Sequence, residues 1–295
     1  MNTLYSCPTC GSNQFKPFLK SKDYFLSQEE FNIVQCLGCG LKFTNPRPID
    51  SMLGEYYKSQ DYISHSNTKR GLVPTLYQWI RNYTLGSKEK LLNSYVSRGT
   101  LLDYGCGSGH FLAHCQKRGW KVHGIEPDNG AREIAKSQTE RVYKSKEELL
   151  ENSPNTQFSA ISLWHVLEHL PNLTSVMDFL KAALEKEGVL FVALPNPLSY
   201  DACHYKTHWA AYDLPRHLYH FEKESLSRFF QQSGFALVAV KPMYFDSFYV
   251  SLLSEKYLHG KTRFLPAIWS GLLSNLKAIR SGQYSSLIYV FRKVK

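Results

Sequence analysis

Long apolar runs are missing from this chain. No stretch reaches the ~20 residues that would span a bilayer, although 43% of the residues are hydrophobic, an ordinary share for a globular protein. The opening residues, Met1-Asn2-Thr3-Leu4-Tyr5-Ser6-Cys7, have neither the basic nor the apolar block of a signal peptide. A cytoplasmic, reducing environment is therefore expected, with the seven cysteines as thiols or metal ligands rather than disulfides. Acidic residues are absent from the end of the chain: Lys256 to Lys295 holds eight Lys or Arg and no Asp or Glu, which accounts for most of the formal charge of +10. That segment points to an anionic partner, be it a phospholipid surface, a phosphorylated or nucleotide-linked substrate, or RNA. A solvated basic face accounts for the same charge. At 295 residues there is room for one sizeable α/β domain and a small appendage.

A further absence narrows the ligand. Thr100-Leu101-Leu102-Asp103-Tyr104-Gly105-Cys106-Gly107-Ser108-Gly109 reads as strand followed by glycine-rich loop, with a helical segment next. The G-x-G-x-x-G of a dinucleotide site is lacking, because His110 stands where its third glycine belongs. Asp103, two residues before the first glycine, would repel a pyrophosphate and suits a cationic ligand. S-adenosylmethionine (SAM), with an ammonium and a sulfonium, is such a ligand. The next strand-like run, Lys121 to Glu126, ends on an acid 21 positions after Gly105, where a carboxylate accepts hydrogen bonds from both ribose hydroxyls. A plain turn and a surface acid explain each motif singly; their order and spacing favour a nucleoside site.

Cys7-Pro8-Thr9-Cys10-Gly11 and Cys36-Leu37-Gly38-Cys39-Gly40 are two C-x-x-C-G knuckles separated by 25 residues. Four thiolates, Cys7, Cys10, Cys36 and Cys39, make a closed tetrahedral Zn²⁺ site with no position for water, so its role is expected to be structural. The knob should end near Pro46-Arg47-Pro48. Residues 49–90, rich in Tyr, Ser and Asn, read as one or two bridging helices, with Tyr62 and His65 as a lid or as packing aromatics. Beyond Lys90 strands and helices alternate: strands at 101–104, 122–126, near 142, 158–163, 189–194, 235–240 and 286–292, with helices at 110–118, 129–138, 173–185 and 223–233. This predicts a doubly wound, mostly parallel α/β sheet.

With these elements in place, Asp103 to Gly109, Glu126-Pro127-Asp128 and Trp164-His165-Val166-Leu167-Glu168-His169-Leu170-Pro171 resemble the motifs of class I SAM-dependent methyltransferases over roughly the last two-thirds of the chain. The resemblance implies a Rossmann-like seven-stranded sheet whose last strand is antiparallel, with Asp103, Gly105 and Gly107 on the methionine moiety of SAM, Glu126 on the ribose, and Trp164 also among the cofactor-binding residues. Lys144-Ser145-Lys146 stands where the family often has an acid for the adenine, so that contact is unassigned. The tract from Trp164 also resembles ubiquinone-pathway O-methyltransferases, in which a Glu-x-x-Glu-His run is associated with a divalent metal; here His165 replaces the first Glu, and the resemblance implies a second divalent site on His165, Glu168 and His169. Helix capping and packing are the simpler explanation of Glu168 and His169. The expected organisation is a zinc-ribbon-like domain over 1–48, a helical linker or lid over 49–90, and a methyltransferase domain over 91–295 with inserts at about 197–222 and 243–284.

Histidine is concentrated after the fifth strand, at 204, 208, 217 and 220. Loops on this edge of a sheet build acceptor pockets, and an imidazole can take a proton from a hydroxyl or an activated carbon. His217 is the first candidate base and His165 the second; either is also explained as a core histidine. Two amphipathic stretches follow, around Phe245 to Glu255 and Phe264 to Arg280, read as a cover for the sheet, an oligomer seam, or a basic helix on the inner face of an anionic membrane. The expected activity is methyl transfer from SAM to a hydroxyl, or a carbon, of an anionic small-molecule or lipid-linked acceptor. RNA methylation and SAM binding without turnover are the alternatives, and nucleic acid is disfavoured by the absence of an Asn/Asp-Pro-Pro-Tyr run and of a Pro-Cys pair.

Overall fold

The computed structural model describes residues 1–57 and 72–294, with the side chains of its first long helix described from Ile80 onward. Tyr62 and His65 lie outside the described residues. Along the chain come β1 (Phe15–Lys22), β2 (Glu30–Cys36), β3 (Lys42–Thr44), a 3-10 helix at Asp50–Tyr57 and α1 (Leu72–Asn93). The alternating region follows as β4 (Thr100–Tyr104), α2 (His110–Gln116), β5 (Lys121–Ile125), α3 (Asn129–Lys136), β6 (Val142–Tyr143), α4 (Lys146–Asn152) and β7 (Phe158–Trp164). Next are α5 (Leu173–Ala183), β8 (Leu184–Pro195), α6 (Tyr200–Tyr205), β9 (Tyr219–His220) and α7 (Lys223–Gln232). The chain closes with β10 (Phe235–Met243), α8 (Asp246–His259), α9 (Phe264–Ser281) and β11 (Ser286–Lys293).

Seven strands form one mostly parallel sheet in the order β10-β11-β8-β7-β4-β5-β6, with β4 parallel to both β5 and β7 and β5 parallel to β6. Phe158, Ala160, Ile161 and Leu163 of β7 and Val189 to Leu194 of β8 are all buried, the continuous apolar reading of strands covered on both faces. The helices between them start on capping side chains: Asp128 accepts the Ala131 N–H at 2.8 Å before α3, and Asn172 that of Ser175 at 3.0 Å at the start of α5. One boundary departs from the pattern. The helix expected to reach Glu185 stops at Ala183, and β8 already begins at Leu184. Gly188 lets this strand close in, since a Cβ there would fall 3.0 Å from the Phe158 carbonyl oxygen.

The described residues fall into two compact units, one made of 1–57, 167–175 and 193–289, the other of the remainder. Within the first, an antiparallel sheet runs β1-β2-β3-β9, so the amino-terminal strands are completed by Tyr219 and His220, paired with Phe43 and Lys42. Phe31 and Ile33 point from one face of β2 into a core with Trp209, Tyr212, Leu214 and Val250. The histidine-rich segment is therefore built into the same core as the amino-terminal sheet.

Candidate functional site

β4 delivers Asp103, which is only 2% exposed. Its Oδ1 accepts the Ser162 hydroxyl of β7 at 2.6 Å. Burial pushes this carboxyl up to about 7, opposed by the Ser162 bond and the Lys88 charge and reinforced by Glu126. Glu126, directly after β5, braces the loop: its Oε2 accepts the Gly107 N–H at 2.8 Å and its Oε1 the Asp128 N–H at 2.9 Å. Burial raises the Glu126 carboxyl, and these two N–H groups counteract the rise.

The loop glycines have different tasks. Gly105, Gly107 and Gly109 all sit at positive φ (76°, 54° and 77°), where a side chain is strained. A Cβ on Gly105 would also come 2.4 Å from Val166, and one on Gly109 2.9 Å from Ala135, whereas one on Gly107 meets nothing within 4 Å. Close packing accounts for the outer two; a Cβ on Gly107 would face open space, and its N–H is held by Glu126.

Trp164 ends β7, edge-on to Phe111 at 5.6 Å, with the Lys88 ammonium 4.3 Å from its ring centre. Its indole N–H is buried without a hydrogen-bond partner among the described residues, a donor a bound ligand can satisfy. His165 follows at φ 57°, a left-handed conformation that costs a non-glycine residue of order 1–2 kcal/mol. Lys88 was invisible to motif reading: nothing in one sequence links a lysine on α1 to a carboxylate on β4.

A second group forms where Glu168, His169 and His217 bring a carboxylate oxygen and two ring nitrogens within 4.8 Å of one another. The two rings meet edge to face, 4.5 Å between centroids. His217 Nδ1 lies 2.9 Å from the Ala211 carbonyl and His169 Nδ1 3.1 Å from the Arg216 carbonyl. A carbonyl can only accept, so both rings donate from Nδ1 to these carbonyls, and His217 Nε2 lies 3.9 Å from the Asp213 carboxylate. The Tyr57 hydroxyl oxygen, 2.8 Å from His169 Nδ1, is a second acceptor for that N–H. Burial, then the facing His217, bring the His169 imidazole down to about 4. A small cavity of about 10 Å³ is lined by His217 together with Leu194, Trp209, Tyr219 and Phe221.

The family model described as a methyltransferase domain matches residues 79–240. The chain belongs to this methyltransferase family. Magnesium protoporphyrin IX methyltransferase from Synechocystis PCC 6803, solved with bound SAH, is similar in fold at a TM-score of 0.53 and 12% identity, over 83% of this chain and 100% of that one. The 1,6-didemethyltoxoflavin-N1-methyltransferase of Burkholderia thailandensis, solved with 1,6-didemethyltoxoflavin and S-adenosylhomocysteine, gives 0.51 and 15% over 95% and 100%. Identities this low bear on the fold alone. No curated protein matches the chain in sequence.

In this methyltransferase the trio of histidine and acid differs from the one the ubiquinone-pathway resemblance implies. His217 joins Glu168 and His169, and His165 is not among the three. The reason is local: a shared helical face for residues 165, 168 and 169 needs a continuous α-helix, but His165 is left-handed and only Leu167–His169 forms a short 3-10 turn. Of the other histidines, His208 packs on Tyr24 and His204 on Tyr200, while His220 is buried in β9.

The four knuckle cysteines also converge, with all Sγ atoms within 4.8 Å of one another. Cys7 to Cys39 and Cys10 to Cys36 are each 3.6 Å, close to the about 3.8 Å edge of a tetrahedron with Zn–S bonds near 2.3 Å. Gly11 and Gly40 turn the backbone back, donating to the Cys7 and Cys36 carbonyls at 2.9 and 3.0 Å. Burial raises the Cys36 thiol, but N–H groups of Cys39 and Gly38 outweigh it and bring it to about 7, favouring the ligating thiolate. The family match does not extend to these residues.

Arg216 went unnoticed in the sequence although it fixes its neighbour His217. It is buried, donating from Nη2 to Asp23 at 2.9 Å and to Asp213 at 2.7 Å, and from Nη1 to the Tyr56 carbonyl at 3.0 Å. No local signal pairs residues so far apart in the chain.

Proposed function

We propose that this protein is a SAM-dependent methyltransferase that methylates a hydroxyl, and less readily a carbon, of an anionic small-molecule or lipid-linked acceptor. The observation that carries the reading is the buried Asp103 carboxylate beside a loop whose central glycine, Gly107, opens to ligand and is braced by Glu126. Asp103 suits the ammonium of SAM, and Glu126 keeps a second lone pair on each oxygen for the ribose hydroxyls. Trp164 supplies an unsatisfied N–H. SAM brings the electrophilic methyl group; the protein's part is to position the acceptor and take its proton.

His217 is the proposed base. Its Nδ1 is tied to the Ala211 carbonyl, leaving Nε2 to accept the proton of an acceptor hydroxyl. The cavity beside it, about 10 Å³, has room for about one water molecule, so an acceptor would enter only as the lining side chains move apart. Glu168, His169 and His217 also fit a divalent cation, which would hold an acceptor oxygen there and lower its pKa. Cys7, Cys10, Cys36 and Cys39 are proposed to hold a structural zinc. His165 remains the second candidate base, on the strength of its strained backbone at the end of β7.

Calorimetric titration with SAM and SAH tests the reading. Binding in the micromolar range is expected, with Asp103→Ala and Glu126→Ala each weakening it about tenfold to a hundredfold. Unchanged affinity in both variants would refute the site. Transfer of tritium from methyl-labelled SAM to cell-extract fractions separates turnover from mere binding.

A further inference from the structure

α9 is built inside out. Its inward side carries Ala267, Ser270, Gly271, Ser274 and Ala278, all small and buried. A Cβ on Gly271 would come 2.7 Å from the Phe248 ring of α8, and the Ser274 hydroxyl donates to buried Asp201 at 2.6 Å. The large apolar side chains point the other way: Leu265 is 82% exposed, Ile279 69%, Phe264 66%, Trp269 61%, Ile268 51% and Leu276 50%. At 3.6 residues per turn they share one stripe about 140° wide. A surface helix of a monomer normally shows the reverse arrangement, and a contiguous apolar face of this size marks an interaction site.

The flanking charge says what covers it. Lys261 precedes the stripe and Arg280 closes it, both exposed, while Arg263 is paired with Glu255 and Lys277 rests over the Tyr200 ring at 3.8 Å. No acid follows Glu255 in the chain, and Glu255 itself is buried against Arg263 and His259 at 3.8 and 3.5 Å. A second copy docked through this face would bring only like charges to the rim, whereas anionic lipid supplies the missing counter-charge. No described helix is long and apolar enough to cross a membrane, so α9 would lie along one. We propose that the exposed face of α9 is a docking surface for an anionic bilayer, with Phe264, Leu265, Ile268, Trp269, Leu276 and Ile279 in the headgroup–acyl boundary and Lys261 and Arg280 on lipid phosphates. This stands apart from the methyl-transfer reading.

Vesicle sedimentation of the intact protein tests it. Binding is expected to mixed phosphatidylglycerol–phosphatidylcholine vesicles and not to phosphatidylcholine alone. The pair Lys261→Gln and Arg280→Gln should weaken it about tenfold or more, and Leu265→Ser with Ile279→Ser should abolish it. Both pairs alter exposed side chains, so their melting temperatures should match the parent protein. Depth-dependent quenching of Trp269 fluorescence by brominated lipids should accompany binding. Absence of sedimentation, equal binding to neutral vesicles, or a dimer by light scattering that the two serines split without any vesicle binding would each overturn the proposal.

Discussion

Asp103 is the proposed partner of the SAM ammonium. Burial lifts it to about 7 when no ligand is bound, and a SAM ammonium favours the ionised form. Below pH 7 the side chain holds a proton that must leave before the ligand is gripped, so affinity falls as pH falls. The expected slope approaches about tenfold per pH unit on the acid side and flattens above 7, with proton release detectable in calorimetry run in buffers of different ionisation heat. Asp103→Asn should bind more weakly and lose the slope; a retained slope would move its origin to another group. The glycines separate two further roles. Gly105→Ala should cost stability, because Val166 fills the space beside it, by about 1–3 kcal/mol in a denaturant melt. Gly107→Ala meets no neighbour, so its stability loss should stay near the ~1 kcal/mol of a left-handed alanine while SAM affinity drops. These residues were legible in the sequence because turn chemistry and charge are local properties. Lys88 and Trp164's unsatisfied N–H were not, since their meaning comes from neighbours on other strands.

At the scale of elements, the parallel strands were legible because burial on both faces writes an unbroken apolar run. Glu185 misled: it reads as the polar end of a helix, yet the sheet claims it, and Lys186 and Glu187 after it, for β8. The amino-terminal hairpin was harder still. Its cysteine spacing announced a metal site, while β1 and β2 carry mixed polar residues, and their sheet is finished by β9, whose two residues have no strand signal of their own. The knuckles join the ends of this sheet, with Cys36 as the last residue of β2. Cys36→Ser with Cys39→Ser should therefore release one equivalent of zinc, measured by emission spectrometry, and lower the melting temperature. SAM affinity should stay within about twofold, because the cofactor residues draw nothing from these thiols. Zinc retained at full stoichiometry would show a different ligand set.

The whole molecule depends on pairings that no window of sequence displays. Arg216 binds Asp23, 193 positions away in the chain, and Asp213 beside it, fixing the backbone that carries His217 against the β1–β2 hairpin. A guanidinium 2% exposed between two carboxylates sits where desolvation is costly and only full pairing offsets it. Arg216→Met should thus destabilise by about 3 kcal/mol, since it leaves Asp23 buried, and Asp213 half-buried, without their cation. Adding Asp23→Asn should recover part of that loss, and the non-additivity of the double-mutant cycle measures the coupling. Turnover should fall further than stability alone explains, because the Ala211 carbonyl and His217 shift together when the segment loosens, whereas SAM binding should persist. If Arg216→Met melted like the parent and turned over normally, the ion network would be incidental and the placement of His217 would have to come from the Trp209 and Tyr212 core instead.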